Sequence, residues 1–172
     1  MWLYNGKEIK SHDDLHPECT DIVYCIIYDD NTMYVGKKVI RSKSILPVLK
    51  TKKRRGSEVV KRHILRDESD KIVVGKLAKK QARNRGLTAK VEEYEEVLTD
   101  KPFLAYTGSS KETEGLVIKE KHIIYQCTTK KAATYLEAMT LFDTHAIFSP
   151  EYRNLNVLGS FYDSDLDGLI ED

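Results

Sequence analysis

The chain has 172 residues and a hydrophobic content of 41%, enough for one domain with its own core. Charged residues make up 32%, so the surface is heavily ionic, and the absence of any apolar run of about 18 residues argues against a transmembrane helix and a membrane partner. The net charge of +1 does not exclude a polyanionic partner, because the charges are segregated along the chain.

From Lys37 to Ile64 there are eleven Lys/Arg and a single acid, Glu58, and from Lys76 to Lys90 there are six Lys/Arg and no acid. The balancing acids sit in Glu92 to Glu96 and in Asp163 to Asp172. Met1 to Lys7 lacks the basic-then-apolar layout of a signal peptide. Cys19, Cys25 and Cys127 show no metal-like spacing and read as free thiols, so a reducing, cytoplasmic location is expected.

Trp2-Leu3-Tyr4 reads as a short strand. Ile22 to Tyr28 is an unbroken apolar and β-branched run, the pattern of a central strand. Asp29-Asp30-Asn31-Thr32 reads as a turn, and Thr32 to Ile40 as the returning strand of a hairpin. Ser44 to Gly56, with Pro47 and the cluster Lys50-Thr51-Lys52-Lys53-Arg54-Arg55, reads as an exposed basic loop. Val59 to Leu65 fits either strand or helix. Ser69 is placed to cap a helix over Asp70 to Arg85, with Val73, Val74, Leu77 and Ala78 inward and Gly86 as its stop. Thr88 is placed to cap a second helix, with Val91, Tyr94, Val97 and Leu98 on one face. Together they predict a helical hairpin inserted over 69–100.

His122 to Cys127 is a third strand. Thr128 or Thr129 caps a helix reaching about Ala146, with Tyr135, Ala138, Met139 and Phe142 as its stripe. Ser149-Pro150 breaks it, Tyr152 to Phe161 is extended, and residues 163–172 form an acidic tail. His63, His122 and His145 show no ligand spacing.

After the run Ile22-Val23-Tyr24, five motifs follow one another: Tyr34-Val35-Gly36-Lys37-Lys38, the basic cluster Lys50 to Arg55, Tyr106-Thr107-Gly108-Ser109-Ser110, Leu136-Glu137-Ala138, and Asn154 to Gly159. In this order they resemble the GIY-YIG nucleases, and more narrowly the small phage-encoded endonucleases of that family. The resemblance covers Asp21 to Phe161, with Ser69 to Leu98 unmatched. It implies an α+β fold with a three-stranded antiparallel sheet flanked by helices. Residues 1–162 would form a single nuclease domain carrying the inserted hairpin, located in the cytoplasm of the host cell if phage-encoded.

The resemblance also implies a DNA endonuclease that hydrolyses phosphodiester bonds with one divalent metal, Mg²⁺ or Mn²⁺. By position, Tyr24 and Tyr34 are the hairpin tyrosines, one of them the base. Glu137 is the metal ligand and Asn154 the late asparagine. Arg41 stands nearest the place of the phosphate-steadying arginine, with Lys43 as a looser fit.

The chemistry suits these residue types. Mg²⁺ takes oxygen ligands and keeps several waters, so one carboxylate plus substrate phosphate is an ordinary set. A phenol titrates near 10, so a tyrosine base needs neighbouring cations, and Lys37, Lys38 and Arg41 follow the hairpin directly. Lys37, Lys38, Lys43, Lys50, Lys52, Lys53, Arg54 and Arg55 form the expected DNA-backbone contacts. Ile22 stands where the family has its first glycine, so a catalytically inactive DNA-binding module on the same scaffold is the alternative.

Overall fold

A computed structural model describes residues 1–48, 57–66, 72–108, 110–159 and 161–162. In chain order the strands are β1 (Trp2–Tyr4), β2 (Lys7–Ile9), β3 (Asp21–Tyr28), β4 (Met33–Val39), β5 (Arg41–Pro47), β6 (Ser57–Arg66), β7 (Ile72–Val74), β8 (Lys90–Asp100), β9 (Ile118–Cys127), β10 (Asn156–Val157) and β11 (Phe161–Tyr162). The helices are α1 (Lys76–Asn84) and α2 (Lys130–Asp143). The chain forms two compact units, Met1–Ser42 with Asp100–Asp172, and Lys43–Thr99.

The first unit is built on a five-stranded sheet in the order β2-β1-β9-β3-β4. The antiparallel trio β9-β3-β4 expected from the sequence is its centre and one edge, and β1 and β2 extend it to five. β1 runs parallel to β9. Alternation in β3 feeds both faces of the sheet. Ile22, Tyr24, Ile26 and Tyr28 pack with Trp2, Ile40 and Phe103 on one face, and Val23 packs with Val35, Val157 and the small residues of α2 on the other. Ile22, in the place of a glycine, is fully buried in the first of these clusters.

The hairpin closes through a tight turn. Asn31 takes a left-handed backbone, and the Asp30 carboxylate accepts from the Thr32 amide at 2.9 Å. Helix α2 begins where expected, with the Thr129 hydroxyl accepting from the Ala132 amide. Its buried stripe differs from the expected one. Ala133, Ala138 and Leu141 face the sheet, while Tyr135 and Phe142 are 69% and 51% exposed. Small side chains let the helix backbone approach the sheet, and a stripe through Tyr135 and Phe142 would hold it off.

In the second unit the sheet order is β5-β8-β6-β7. The expected helical hairpin over 69–100 is not found: Ile72–Val74 is strand β7, helix α1 starts only after Gly75, and the expected cap Ser69 lies outside the described residues. Helix α1 is shorter than predicted and buries Ala78 and Ala82, while Leu77 is 55% exposed. The predicted second helix is the eleven-residue strand β8. Four glutamates within Glu92 to Glu96 would crowd one another on a short helix. As a strand, β8 meets cations on its neighbours: Glu93 pairs with Lys61, and Glu96 with Lys43 and Arg62. The stretch Ser44 to Pro47, read as loop, belongs to β5, and Val59 to Leu65 lies within strand β6. Lys50, Lys52, Lys53, Arg54, Arg55 and the acidic tail 163–172 lie outside the described residues.

Candidate active site

The β3–β4 register sets the site. It pairs Tyr24 with Gly36 and Ile26 with Tyr34, so both tyrosines leave the same face as diagonal neighbours. Their ring centroids are 6.4 Å apart. Gly36 is a steric requirement. A Cβ there would lie 2.6 Å from the Tyr24 hydroxyl and 3.0 Å from Tyr34 Cε1, so the Tyr24 ring occupies the space that a side chain would take.

The two phenols have different surroundings. Tyr24 is 1% exposed, and its hydroxyl donates to the Tyr106 hydroxyl at 3.3 Å. Trp2 and Tyr106 meet its ring edge to face. Burial foremost, then the Tyr106 contact, hold its phenol well above the usual range. Tyr34 is partly buried, and burial, with Tyr106 and Glu137 adding to it, pushes its phenol up to about 12.

Lys37 and Lys38, consecutive on β4, point to opposite faces of the sheet. Lys38 places its ammonium 4.0 Å from the Tyr106 ring centroid. Lys37 turns to the α2 side and forms an ion pair with Glu137, whose side chain is only 15% exposed. The glutamate stands mid-helix, held by the packing of Ala133, Ala138 and Leu141.

Tyr34, Lys37, Glu137 and Asn154 line one cleft of about 480 Å³ along the free edge of β4, joined by Lys111, Glu112 and Arg153. Arg153 donates from Nη2 to Asp30 at 2.8 Å and from Nε to the Thr32 hydroxyl at 3.1 Å. The Thr32 contacts first, and then Arg153, lower the Asp30 carboxyl to about 2. Asn154 is 8% exposed; its side chain accepts from the Val35 amide at 3.0 Å and donates to the Val35 carbonyl at 2.8 Å.

Arg41, expected as the phosphate-steadying arginine, does not line this cleft. It is 7% exposed, and its Nε donates to Asp100 at 2.9 Å. Its Nη1 serves the carbonyls of His16, Pro17 and Cys19, and its Nη2 that of His12. A guanidinium surrounded by backbone carbonyls ties the segment before β3 to the start of β5, and all three of its nitrogens donate there. Lys43 lies in the second unit, paired with Glu96 at 3.4 Å. Reasoning from sequence passed over Arg153, Lys111 and Tyr106 as site residues. The signals were present: Arg153 directly precedes Asn154, and Tyr106 and Lys111 bracket the Gly-Ser-Ser run.

The donor set fits a hard divalent cation. Among the described residues no cluster of three or more His, Cys, Asp or Glu could hold a metal. One carboxylate, completed by phosphate oxygens and water, is an arrangement Mg²⁺ commonly accepts. Among the described residues no helix is long and apolar enough to cross a membrane.

No curated protein and no solved structure matches the chain. The family model for the GIY-YIG domain of the endonuclease segE matches residues 2–163, a span that takes in the hairpin tyrosines, Glu137 and Asn154. The chain therefore belongs to the GIY-YIG endonuclease family, in its segE-type branch.

Proposed function

We propose that the protein is a divalent-metal-dependent DNA endonuclease that hydrolyses phosphodiester bonds in the cleft beside β4. The observation that carries this reading is that Tyr34, Lys37 and Glu137 line one polar cleft in a chain of a nuclease family. Residues 1–162 act as one nuclease domain, with the second unit inserted into it.

Glu137 would hold Mg²⁺ or Mn²⁺, and such an ion, when bound, would supply positive charge against the charge developing on the phosphate. Lys37, the ion-pair partner of Glu137 on the cleft wall, offers its ammonium to a phosphate oxygen. Lys111 and Arg153 add positive field on the cleft wall. A hairpin tyrosine takes the proton from the attacking water. Tyr34 is the one with access, because Tyr24 is sealed from solvent and hydrogen-bonded to Tyr106. Tyr24 then serves as the wall against which Tyr34 is oriented. Asn154 acts at one remove, by holding the Val35 peptide and so the strand that carries Tyr34 and Lys37.

The sequestration of Arg41 favours a second reading, a DNA-binding module without catalysis. Incubating purified protein with plasmid DNA and Mg²⁺ or Mn²⁺ separates the two. The nuclease reading expects nicks or breaks that disappear in Glu137→Gln while DNA binding persists. Equal cutting by Glu137→Gln would remove the metal assignment, and binding without cleavage under either ion would establish the second reading.

A further inference from the structure

Helix α1 carries a stripe of positive charge that no described acid pairs with. Lys76, Lys79, Lys80 and Arg83 stand at i, i+3, i+4 and i+7, which places them on one face of the helix. All four are exposed. The opposite side buries Ala78 and Ala82 against Leu65, with Val73 and Ala89 alongside, so the stripe is fixed toward solvent. Arg85 and Lys90 follow, and no acid occurs from Lys76 to Lys90.

The contrast with the neighbouring sheet is informative. There Lys43, Lys61 and Arg62 are matched by Glu93 and Glu96. Among the described residues the four cations of the α1 stripe form no ion pair. The arrangement also opposes the stability of the helix. Lys76, Lys79 and Lys80 lie at its N-terminal end, where the dipole disfavours cations, and the first turn holds no acid. Like charges at i+3 and i+4 repel as well. Both effects are relieved by a polyanion.

We infer that the exposed face of α1 is a docking surface for the phosphate backbone of duplex DNA. The choice of DNA as the polyanion rests on the nuclease reading above; the stripe itself does not. Four cations along roughly 10 Å of helix match about three phosphate steps of one strand, at about 3.4 Å of duplex axis each, and the contacts carry no base information. The second unit thus contributes affinity that is independent of sequence, and the cleft contributes the chemistry.

The test is duplex binding followed by fluorescence anisotropy across a salt titration, in EDTA so that nothing is cut, with two unrelated sequences. The triple variant Lys79→Gln/Lys80→Gln/Arg83→Gln keeps good helix formers at exposed positions. It should bind both duplexes at least about tenfold more weakly, with the slope of log affinity against log salt smaller in magnitude by roughly 2 to 3. The single variant Lys80→Gln should lower that slope by about 1, which preserves the test if the triple variant folds poorly. Lys79→Arg/Lys80→Arg should bind like the parent. Unchanged affinity and slope in the glutamine variants would overturn the inference, as would an equal loss in the arginine variant, which would mark a structural effect. Because no cutting is measured, these results stand apart from the Glu137→Gln assay that tests the nuclease reading.

Discussion

Asn154 closes the free edge of the five-stranded sheet on Val35, taking its amide at 3.0 Å and its carbonyl at 2.8 Å with one side-chain carboxamide. The preceding residues continue the same edge, since the Met33 amide donates to Glu151 and the Arg153 amide to Met33. An edge strand otherwise leaves such groups to water or to another chain. Here a side chain far along the sequence completes the ladder and fixes the strand that bears Tyr34 and Lys37.

Asn154→Ala should therefore be a stability variant first. Two hydrogen bonds to a buried peptide are lost, worth about 2 kcal/mol together. In a chain of this size that corresponds to a fall in melting temperature of roughly 4 to 8 °C, readable by calorimetry. Cleavage should fall as the β4 edge loosens. An unchanged melting temperature with activity abolished would instead place Asn154 in direct contact with substrate.

Gly36→Ala should destabilise by about 1 to 3 kcal/mol, because the new methyl meets the Tyr24 hydroxyl and ring and must push them aside. Urea denaturation reads the loss. Adding Tyr24→Phe to Gly36→Ala removes the nearest clashing atom, so the double variant should recover part of the stability. Strict additivity of the two changes would contradict the contact.

Tyr34→Phe and Tyr24→Phe should separate in activity. Loss of a general base costs about a hundredfold or more, and that loss is expected for Tyr34→Phe, with Tyr24→Phe far milder. A base held as neutral phenol at neutral pH is active only in its ionised fraction. The parent rate should accordingly climb about tenfold per pH unit below its titration point. The stability effect has the opposite sign. The folded Tyr34 phenol titrates at about 12 against an ordinary 10, so its contribution is whole below pH 10 and is lost as pH rises toward 12. Alkaline unfolding midpoints of the parent and Tyr34→Phe should converge across that window. A flat rate profile between pH 6 and 9 would rule out a phenol base.

Arg41→Gln should unfold the protein more readily without touching the chemistry. Removing the guanidinium strands the carbonyls of His12, His16, Pro17 and Cys19, at a cost of about 2 to 4 kcal/mol. Chemical denaturation measures it, and single-turnover cleavage at low temperature should stay near the parental rate. Normal stability with cleavage lost would restore Arg41 as a phosphate contact.

The hairpin and the paired tyrosines were legible in the sequence because strand alternation and turn chemistry are local. The same holds for a threonine cap at Thr128 or Thr129, of which the helix uses Thr129, and for Glu137 one turn after the buried Ala133. Ser69 to Leu98 was misread in part for the opposite reason. Val91, Tyr94, Val97 and Leu98 fit a helical period, and only the cations of β5 and β6, distant in sequence, reward Glu93 and Glu96 for lying in a strand. The surroundings of Arg41 were not legible, because order along the chain does not reveal which backbone carbonyls a guanidinium will meet.

The amino-acid sequence by itself determined the family, the hairpin with its two phenols, the helix glutamate and the late asparagine, since each depends on residue type and near neighbours. The tertiary structure decided which tyrosine faces the cleft, that Lys37 rests on Glu137, that Asn154 grips Val35, and that Arg41 is consumed by backbone carbonyls. Those are matters of burial and hydrogen-bond occupancy. They are set by contacts between segments tens of residues apart, and no local pattern encodes which partner arrives first at a given donor.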